Sequence, residues 1–481
     1  MQLFHTPSAI SSAFDDPNLV SAAGLVPVMG LAGKTGLGEL VDEHRRLPDY
    51  FGANAGLKVT ALAAGMVAGA DSIDDMGLLR HGGMGKLFKG TYAPSTLGSF
   101  LRTFTFGHVR QLDAVASRWL PALARAAPVT AGIDALALVD IDDTVTAGID
   151  ALALVDIDDT VKATYGYQKQ GAGYGYNGVK GLKALIGTVP TNEAAPFITG
   201  ARLRKGATSS ARGAGKFVAD TLANVNRLRS ADAQGMVLLR ADSAFYNHAV
   251  VTAAARAGAK VSITARMDPH VKKTIAKIQD SAWEKIKYTN AVFDEESNTW
   301  ISDAEVAEIG FTAFISKKKE DRVTGRLVVR RVPELNPKAV TGQETLFDTH
   351  RFHAFFTTVA AEVLDTVKAD KTHRAHAVIE QVHSDLRAGP LAHLPSGKFN
   401  ANAAWLAAAA MAFNLTRTAG TLARGQFTKA TTGTIRTKII NVAARTASSA
   451  RRIRLHLPEN WPWQDGWEKL IDTIFPPPKP A

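Results

Sequence analysis

The sixteen residues TAGIDALALVDIDDTV at Thr130–Val145 occur a second time, without a change, at Thr146–Val161. In each copy the apolar run ALALV comes directly before the acidic cluster DIDD. A short apolar run of this kind predicts a buried strand, and the acids that follow it predict polar side chains at the edge of a sheet. The stretch therefore indicates an α/β fold with candidate functional carboxylates at a strand end.

The repeat raises the question of which copy occupies the sheet. Architectural repeats are usually longer, differ in sequence and occur three or more times, so an identical pair indicates a recent tandem duplication. The second copy continues into KATYGYQKQG, which predicts the next strand across a short connection that fixes the register. We predict that Val155–Thr160 form the central strand and that residues 130–145 form a loop or an edge strand. The alternative places Asp142 in the central strand.

The composition is that of a globular protein with an excess of basic residues. The chain has 481 residues, 46% of them hydrophobic, a length that corresponds to about two to four domains. A formal net charge of +11 favours a polyanionic partner, and the lack of cysteine excludes disulfides and thiolate metal sites. The N-terminus lacks a secretory signal pattern, and the longest apolar run, Ala403–Phe413, is too short to cross a bilayer. We expect a soluble cytoplasmic protein with no membrane partner.

Changes in composition and in the spacing of apolar residues along the chain predict an N-terminal helical domain, an α/β core, a strand-rich insertion and a basic C-terminal region. Helical spacing predicts one helix across residues 97–126 with Ser95 or Thr96 as its cap, a long helix at about Ala360–Arg387, and another at about Ala401–Ala419. The predicted units are a helical DNA-binding domain (1–125), the first part of the core (126–269), a β-rich insertion (270–346), the second part of the core (347–420) and the basic region (421–481). For residues 1–125, a helical packing domain without DNA binding is the competing interpretation.

Two further acids accompany the DIDDT cluster. Asp242 follows an apolar strand in LLRADSAF, and Glu380 lies in HRAHAVIEQVHSDLR, where His373, His376, His383 and Arg387 share its helix face. Carboxylates from distant segments suit Mg²⁺, which prefers oxygen ligands and shares its shell with substrate phosphates. Two such ions can promote in-line displacement at phosphorus, so the pattern indicates phosphodiester cleavage or strand transfer. For the helix taken alone, a solvated face with an incidental ion pair is the competing interpretation.

The segment ALALVDIDDTV also fits the haloacid-dehalogenase phosphatase pattern. In that interpretation Asp156 is the nucleophile and Asp158 is the general acid. Such enzymes also need a later lysine and a closing acidic pair, and RADSAFYN offers a single acid. The basic charge balance has no role in this alternative, a magnesium phosphatase of small molecules.

Four blocks in order resemble a DDE transposase of a bacterial insertion sequence, closest to the insertion sequence thirteen-eighty family. The first-acid block is VDIDDTVKATYGYQKQGAGYGYNGVKGL and the second is LLRADSAFYN. The glutamate block is HRAHAVIEQVHSDLRAGPLAHLPSGKFNANAAWLAAAAMAFNLTR, and the C-terminal block is RTKIINVAARTASSARRIRLHLPENWPW. Together the blocks span nearly the whole chain, and their order is more specific than any one of them.

The resemblance implies a fold and an activity. The fold is a ribonuclease H-like mixed sheet flanked by helices, with a β-rich insertion and an N-terminal helical domain. The activity is Mg²⁺- or Mn²⁺-dependent cutting and joining of double-stranded DNA, at terminal inverted repeats and target DNA, by a homodimer bound to the ends in the bacterial nucleoid. The implied catalytic and metal-binding acids are Asp158, Asp242 and Glu380, with Asp142, Asp156 and Asp159 as alternates for the first.

The resemblance also implies residues that contact DNA. Related transposases place a tyrosine, an arginine and a lysine around the glutamate, and this chain has His373, His376 and Arg387 in those positions. The two histidines put the phosphate-contacting role in question and make it sensitive to pH. Trp283 or Trp300 in the insertion is a candidate for stacking on an unpaired base, against a role in the core. A further alternative for the whole chain is a DNA-binding remnant without catalysis.

Overall fold

The computed structural model describes residues 1, 3–44, 52–129, 152–164, 169–175, 178–191, 194–231, 233, 235–286, 292–294, 299–301, 304–333, 350–449 and 452–477. The first copy of the repeat, with Asp142, lies outside the described residues. The second copy is described from residue 152 onward, where it begins a strand. The hypothesis about the position of residues 130–145 therefore stays a prediction.

Within the described residues, a mixed sheet of ten strands forms the centre of the α/β part, which confirms the predicted class of a large mixed sheet flanked by helices. The strands are β2 (Leu152–Ala163), β3 (Gly173–Tyr174), β4 (Lys180–Val189), β5 (Phe197–Lys205), β6 (Met236–Ala241), β7 (Lys260–Thr264), β8 (Glu284–Lys285), β11 (Glu305–Ala313), β12 (Val323–Pro333) and β13 (His350–Thr357). Their order is β3-β4-β2-β6-β7-β13-β12-β11-β8, and β5 also pairs with β4.

The second copy of the repeat provides the central strand of this sheet. β2 runs parallel to β6 and antiparallel to β4, and β6 runs parallel to β7. Ala153, Val155 and Ile157 point to one face and are fully buried, while Leu154 joins a smaller apolar cluster on the other face. The order β5-β4-β2-β6-β7 is compatible with a ribonuclease H-like core.

Helices cover both faces of the sheet. On the face of Val155 lie α7 (Ala214–Leu228), α8 (His248–Arg256) and the short helix α9 (Pro269–Ile275). The helix α7 approaches β4 and β5 closely, because a Cβ atom at Gly187 or Gly200 would lie 2.7 or 2.6 Å from the side chain of Thr221. Glycine at these positions permits the close approach. The opposite face carries α10 (Thr366–Arg374) and α11 (Val378–Arg387).

The strand-rich insertion extends the same sheet. β13, from the predicted second part of the core, pairs directly with β7, and the strands β12, β11 and β8 of residues 270–346 continue the sheet beyond it as antiparallel strands. The strands β9 (Val292–Asp294) and β10 (Thr299–Ile301) form a separate hairpin. The long strands β11 and β12 within residues 270–346 therefore belong to the main sheet.

The N-terminal and C-terminal regions share one hydrophobic core. The buried helix α12 (Phe399–Ala423) is surrounded by helices from both ends of the chain, and the same apolar cluster contains residues from Val20 to Ile474. The predicted units 1–125 and 421–481 therefore do not each have a core of their own. The elements are β1 (Leu19–Val20), α1 (Leu25–Lys34), α2 (Leu37–His44), α3 (Ala55–Ala68), α4 (Met84–Leu87), α5 (Pro94–Arg102), α6 (Phe106–Ala126), α13 (Thr432–Ile435), β14 (Ala444–Ser449), β15 (Arg452–His456) and α14 (Gln464–Ile474).

Two predicted helices are interrupted. Residues 97–126 form α5 and α6 instead of one helix, because Thr105 and His108 make a reciprocal capping box that starts α6. Ser95 and Thr96 lie inside α5, whose N-cap is Ala93. The predicted helix at 360–387 divides into α10 and α11 around a 3₁₀ turn at Ala375–Ala377. Asp365 is the N-cap of α10, where its side chain accepts a hydrogen bond from the Lys368 N–H at 2.8 Å.

Among the described residues, no helix is both long enough and apolar enough to cross a membrane.

Candidate active site

Two of the predicted acids meet where β2 and β6 run side by side. Their register places Ile157 opposite Ala241, so Asp158 and Asp242 come next along the two parallel strands. Asp242 accepts a hydrogen bond from the Ala244 N–H at 3.0 Å and caps the following turn. Burial raises the pKa of Asp242 to about 6, and the nearby negative charge of Asp158 adds to this rise. The two carboxylates are therefore close enough to repel each other.

Asp156 has a different environment although it lies two residues from Asp158. It is fully buried, and its oxygens accept hydrogen bonds from Nε and Nη2 of Arg240 at 2.7 and 2.8 Å. Burial raises the pKa of Asp156, while the Arg240 guanidinium acts in the opposite direction. Its burial separates this carboxylate from any substrate. The geometry therefore opposes Asp156 as the first acid, and also as the nucleophile of a phosphatase.

Asp159 points to the other face of β2, as alternation along a strand requires. Its side chain is 9% exposed, and one oxygen lies 4.0 Å from Nζ of Lys183, which is itself buried. The Oδ2 atom has no hydrogen-bond partner in the part of the chain that the structure describes. This carboxylate is the counter-charge of a buried lysine on β4, on the face of the strand opposite to Asp158.

The helix α11 contacts the acidic strand end through His383. The His383 ring is 1% exposed, and its Nε2 lies 3.4 Å from Oδ2 of Asp158. Neither ring nitrogen has a hydrogen-bond partner within the described residues. The helix α11 is held against α12 by a buried ion pair of 2.6 Å between Asp385 and Arg417. His383 is thus held against Asp158 by a fixed helix.

Glu380 lies in the first turn of α11, one turn before His383, and its side chain is exposed. Throughout the described ranges, no three His, Asp or Glu side chains are grouped so that they could hold a metal ion. The structure therefore brings Asp158 and Asp242 together and does not group Glu380 with them as a third ligand. Arg387 is exposed on the same helix, and its Nε donates to the carbonyl of His383 at 3.3 Å.

The two histidines before Glu380 are placed differently from each other. His373 is 7% exposed, its ring nitrogens lie 2.9 and 3.0 Å from the hydroxyls of Ser262 and Thr264, and it stacks on Phe355. Burial lowers its pKa to about 3, so the ring is neutral and engaged in the core. This placement opposes the predicted DNA contact of His373. His376 is half-buried, and its charge acts on the pKa of Asp242, so it lies beside the acidic pair.

The candidate stacking tryptophans lie in the strand-rich insertion. Trp283 is partly buried, with the Arg331 guanidinium 4.3 Å from its ring centre and Phe352 at 6.0 Å. These contacts favour a structural role for Trp283. Trp300 is in β10, and its side chain lies outside the described residues.

The comparison with known families identifies the class. Residues 5–478 match the model of the transposase DDE domain group 1, so the chain belongs to that family of transposases. The family consists of enzymes that cut DNA by polynucleotidyl transfer, and the expectation of a DDE transposase is confirmed at this level. A search among curated proteins found no match.

Arg240 is the residue of this site that we did not select from the sequence. Besides binding Asp156, it donates from Nη1 to the carbonyl of Thr372 at 2.5 Å, so it joins β6 to the end of α10. A signal was present, because a single arginine inside the apolar run MVLLRA requires a buried anionic partner. The partner, however, could have been any of the three acids of DIDD.

Proposed function

We propose that this protein cuts DNA at the ends of an insertion sequence of the thirteen-eighty family and joins those ends to target DNA. The observation that carries the proposal is the adjacency of Asp158 and Asp242 at neighbouring parallel strands, in a chain that belongs to the DDE transposases. The proposed partners are double-stranded terminal inverted repeats and target DNA, bound by a homodimer.

The acidic pair suits a hard divalent cation. The negative charge of Asp158 raises the pKa of Asp242, so a positive charge between the two carboxylates would stabilise both of them. Asp242 has no cationic side chain bonded to it among the described residues. Mg²⁺ keeps several waters and takes substrate phosphates as ligands, so one or two protein carboxylates suffice to hold it. We propose that Asp158 and Asp242 hold Mg²⁺ or Mn²⁺ and that Glu380 is the third catalytic acid.

A bound cation of this kind activates an attacking oxygen and stabilises a leaving one at phosphorus. The chain supplies the remaining functions. His383 contacts Asp158 from a buried position and limits the rotation of that carboxylate. His376 and Arg387 provide positive or polar groups along the same helical segment, where a DNA phosphate would approach the acids.

The phosphatase alternative is not favoured. Its nucleophile would be Asp156, whose carboxylate is fully buried against Arg240. The DNA-binding remnant remains an outcome of the experiment, since binding without cleavage in Mg²⁺ would identify it.

The test is cleavage of a labelled duplex that carries the transposon end, with Mg²⁺ and with the wild-type chain and four single variants. We expect cleavage by the wild type and by Asp142→Ala, and loss of cleavage in Asp158→Ala, Asp242→Ala and Glu380→Ala. Retained cleavage in Asp158→Ala with loss in Asp142→Ala would place the first acid in the other copy of the repeat. Retained cleavage in Asp242→Ala would refute the acidic pair as the site.

A further inference from the structure

A small sheet, formed by segments far along the chain from the DIDDT repeat, carries a basic face. It consists of β1, β14 and β15, in that order, with both pairs antiparallel. One side of the sheet is attached to the main core, because Val20, Ala444 and Thr446 are all buried. The other side is open.

The open side is built of arginines separated by small residues. Arg452, Arg454 and His456 alternate along β15, so they project to the same side. Their partners across the ladder are Ser449, Ala447 and Arg445 of β14, which lie on that side as well. All six are exposed. The result is a two-stranded ribbon with three arginines and a histidine on one face, and no bulky side chain between them on β14.

The charges on this face are mostly uncompensated. Arg445 forms an ion pair with Asp16 at 3.2 Å. Arg452 and Arg454 have no acidic side chain within ion-pair distance among the described residues. Charged residues on an edge strand also discourage sheet aggregation. That purpose would be served by either sign of charge and by one or two residues, whereas this face is basic across both strands.

We propose that the β14–β15 ribbon binds the phosphate backbone of double-stranded DNA. The inference rests on the proposed function, and it adds a second DNA-binding surface far along the chain from the acids. A two-stranded ribbon fits a major groove about 12 Å wide. Arginines two residues apart on a strand are about 7 Å apart, which is close to the separation of neighbouring phosphates along a DNA strand. Small side chains at Ala447 and Ser449 let the backbone of the ribbon approach the duplex.

The ribbon binds phosphates, so it positions DNA without reading its sequence. Removal of two arginines should therefore weaken the binding of transposon-end and unrelated duplexes by the same factor. It should also reduce the slope of log affinity against log salt, by about 0.9 for each phosphate that the protein no longer neutralises.

The experiment measures duplex binding by fluorescence anisotropy in EDTA, across a series of salt concentrations, so that cleavage plays no part. The test variant is Arg452→Ala/Arg454→Ala, and the matched control is Lys317→Ala/Lys318→Ala, which removes two exposed charges from the connection between β11 and β12. We expect the affinity of the test variant to fall about tenfold and its salt slope to fall by roughly two, and the control to change little. The variant Arg452→Lys/Arg454→Lys keeps the charges and should keep most of the binding.

Equal affinity of the test and control variants for DNA would overturn the inference. Binding to anionic phospholipid vesicles is measured in parallel, and a test variant that binds DNA normally but no longer binds the vesicles would also overturn it. Thermal unfolding shows whether the test variant is folded; if it is not, the single variant Arg454→Ala replaces it, and its salt slope is expected to fall by about 0.9. Failure of the ribbon is distinguishable from failure of the proposed function, because wild-type cleavage of the transposon end is measured separately and does not depend on these variants.

Discussion

Asp156 and Asp158 lie on the same face of one strand, two residues apart, and yet they belong to different kinds of site. Asp156 is fully buried and shares two hydrogen bonds with Arg240. Asp158 is partly exposed, contacts His383 and lies beside the carboxylate of Asp242. A buried acid with a bidentate cation stabilises the arrangement of the core. An acid beside another acid at an open edge is the kind of site that we propose for an external cation.

The same contrast explains why identical residue types act differently in one short motif. The position along the strand determines whether a carboxylate is covered by α10 or reaches the edge beside α11. If this comparison is right, substitutions at Arg240 should act on stability, and substitutions at Asp158 should act on catalysis.

The largest effect is expected for Arg240→Ala, which leaves the Asp156 carboxylate buried without its partner. Breaking a buried ion pair in this way costs about 3–5 kcal/mol in the free energy of unfolding, and urea denaturation would measure it. The control is the double variant Asp156→Leu/Arg240→Met, which replaces both charges and should recover most of the stability. A single-variant cost below about 1 kcal/mol would show that the pair is not structural.

The next effect concerns cleavage and compares Asp158→Asn with Asp159→Asn. The first removes a charge from the open acidic pair, and the second removes it from the opposite face of the strand. We expect Asp158→Asn to lower the cleavage rate by on the order of 10²–10³-fold at nearly unchanged stability, and Asp159→Asn to lower it much less. Single-turnover cleavage of the transposon-end duplex measures both. Similar reductions in the two variants would contradict the assignment of the first acid.

A smaller effect is expected in the pH dependence of stability without metal. The pKa of Asp242 in the folded chain is about 6, raised from the ordinary value of 3.8, so the folded state holds this proton more tightly than the unfolded state. Stability from this group is therefore full below about pH 4 and is lost as the pH rises through about 6. Asp242→Asn should remove part of that decline.

The measurement is urea denaturation in EDTA between the two pKa values of Asp242. Burial also raises the pKa of Asp113, in α6, to about 6. The variant Asp113→Asn therefore measures the part of the decline that comes from this separate carboxyl. Adding Asp158→Asn to the wild type should reduce the decline as well, since Asp158 contributes to the raised pKa of Asp242. A decline that Asp242→Asn leaves unchanged would show that the pKa of Asp242 is not raised, and a decline that Asp158→Asn leaves unchanged would show that the two carboxylates do not interact.

The smallest effect is expected for deletion of residues 130–145. If the second copy fills the central strand, the deletion only shortens a connection, and loop-closure entropy changes by less than about 1 kcal/mol. Cleavage activity should be equal to that of the full chain or higher, and solubility should not fall. Because the two copies are identical, this deletion gives the same sequence as deletion of residues 146–161. Loss of both folding and cleavage would therefore show that the fold needs both copies.

The sequence was informative where one local pattern determined the structure. The apolar run before DIDDT predicted the central strand, and the apolar run before Asp242 predicted a second buried strand, which the structure places parallel to the first. It was less informative where two distant segments determine the outcome. The break of the helix at 375–377 and the burial of His373 against Ser262 depend on how α10 packs on β7. The partner of Arg240 depends on strand register, which a helical or strand pattern does not specify.

The central claim is that Asp158 and Asp242, and not Asp156, hold a divalent cation. The most direct measurement is titration of Mn²⁺, followed by its electron paramagnetic resonance signal, against the wild type, Asp158→Asn, Asp242→Asn and Asp159→Asn. We expect the wild type and Asp159→Asn to bind Mn²⁺ with the same affinity, and each of the other two variants to bind it at least about tenfold more weakly. Unchanged Mn²⁺ binding in both Asp158→Asn and Asp242→Asn would contradict the claim.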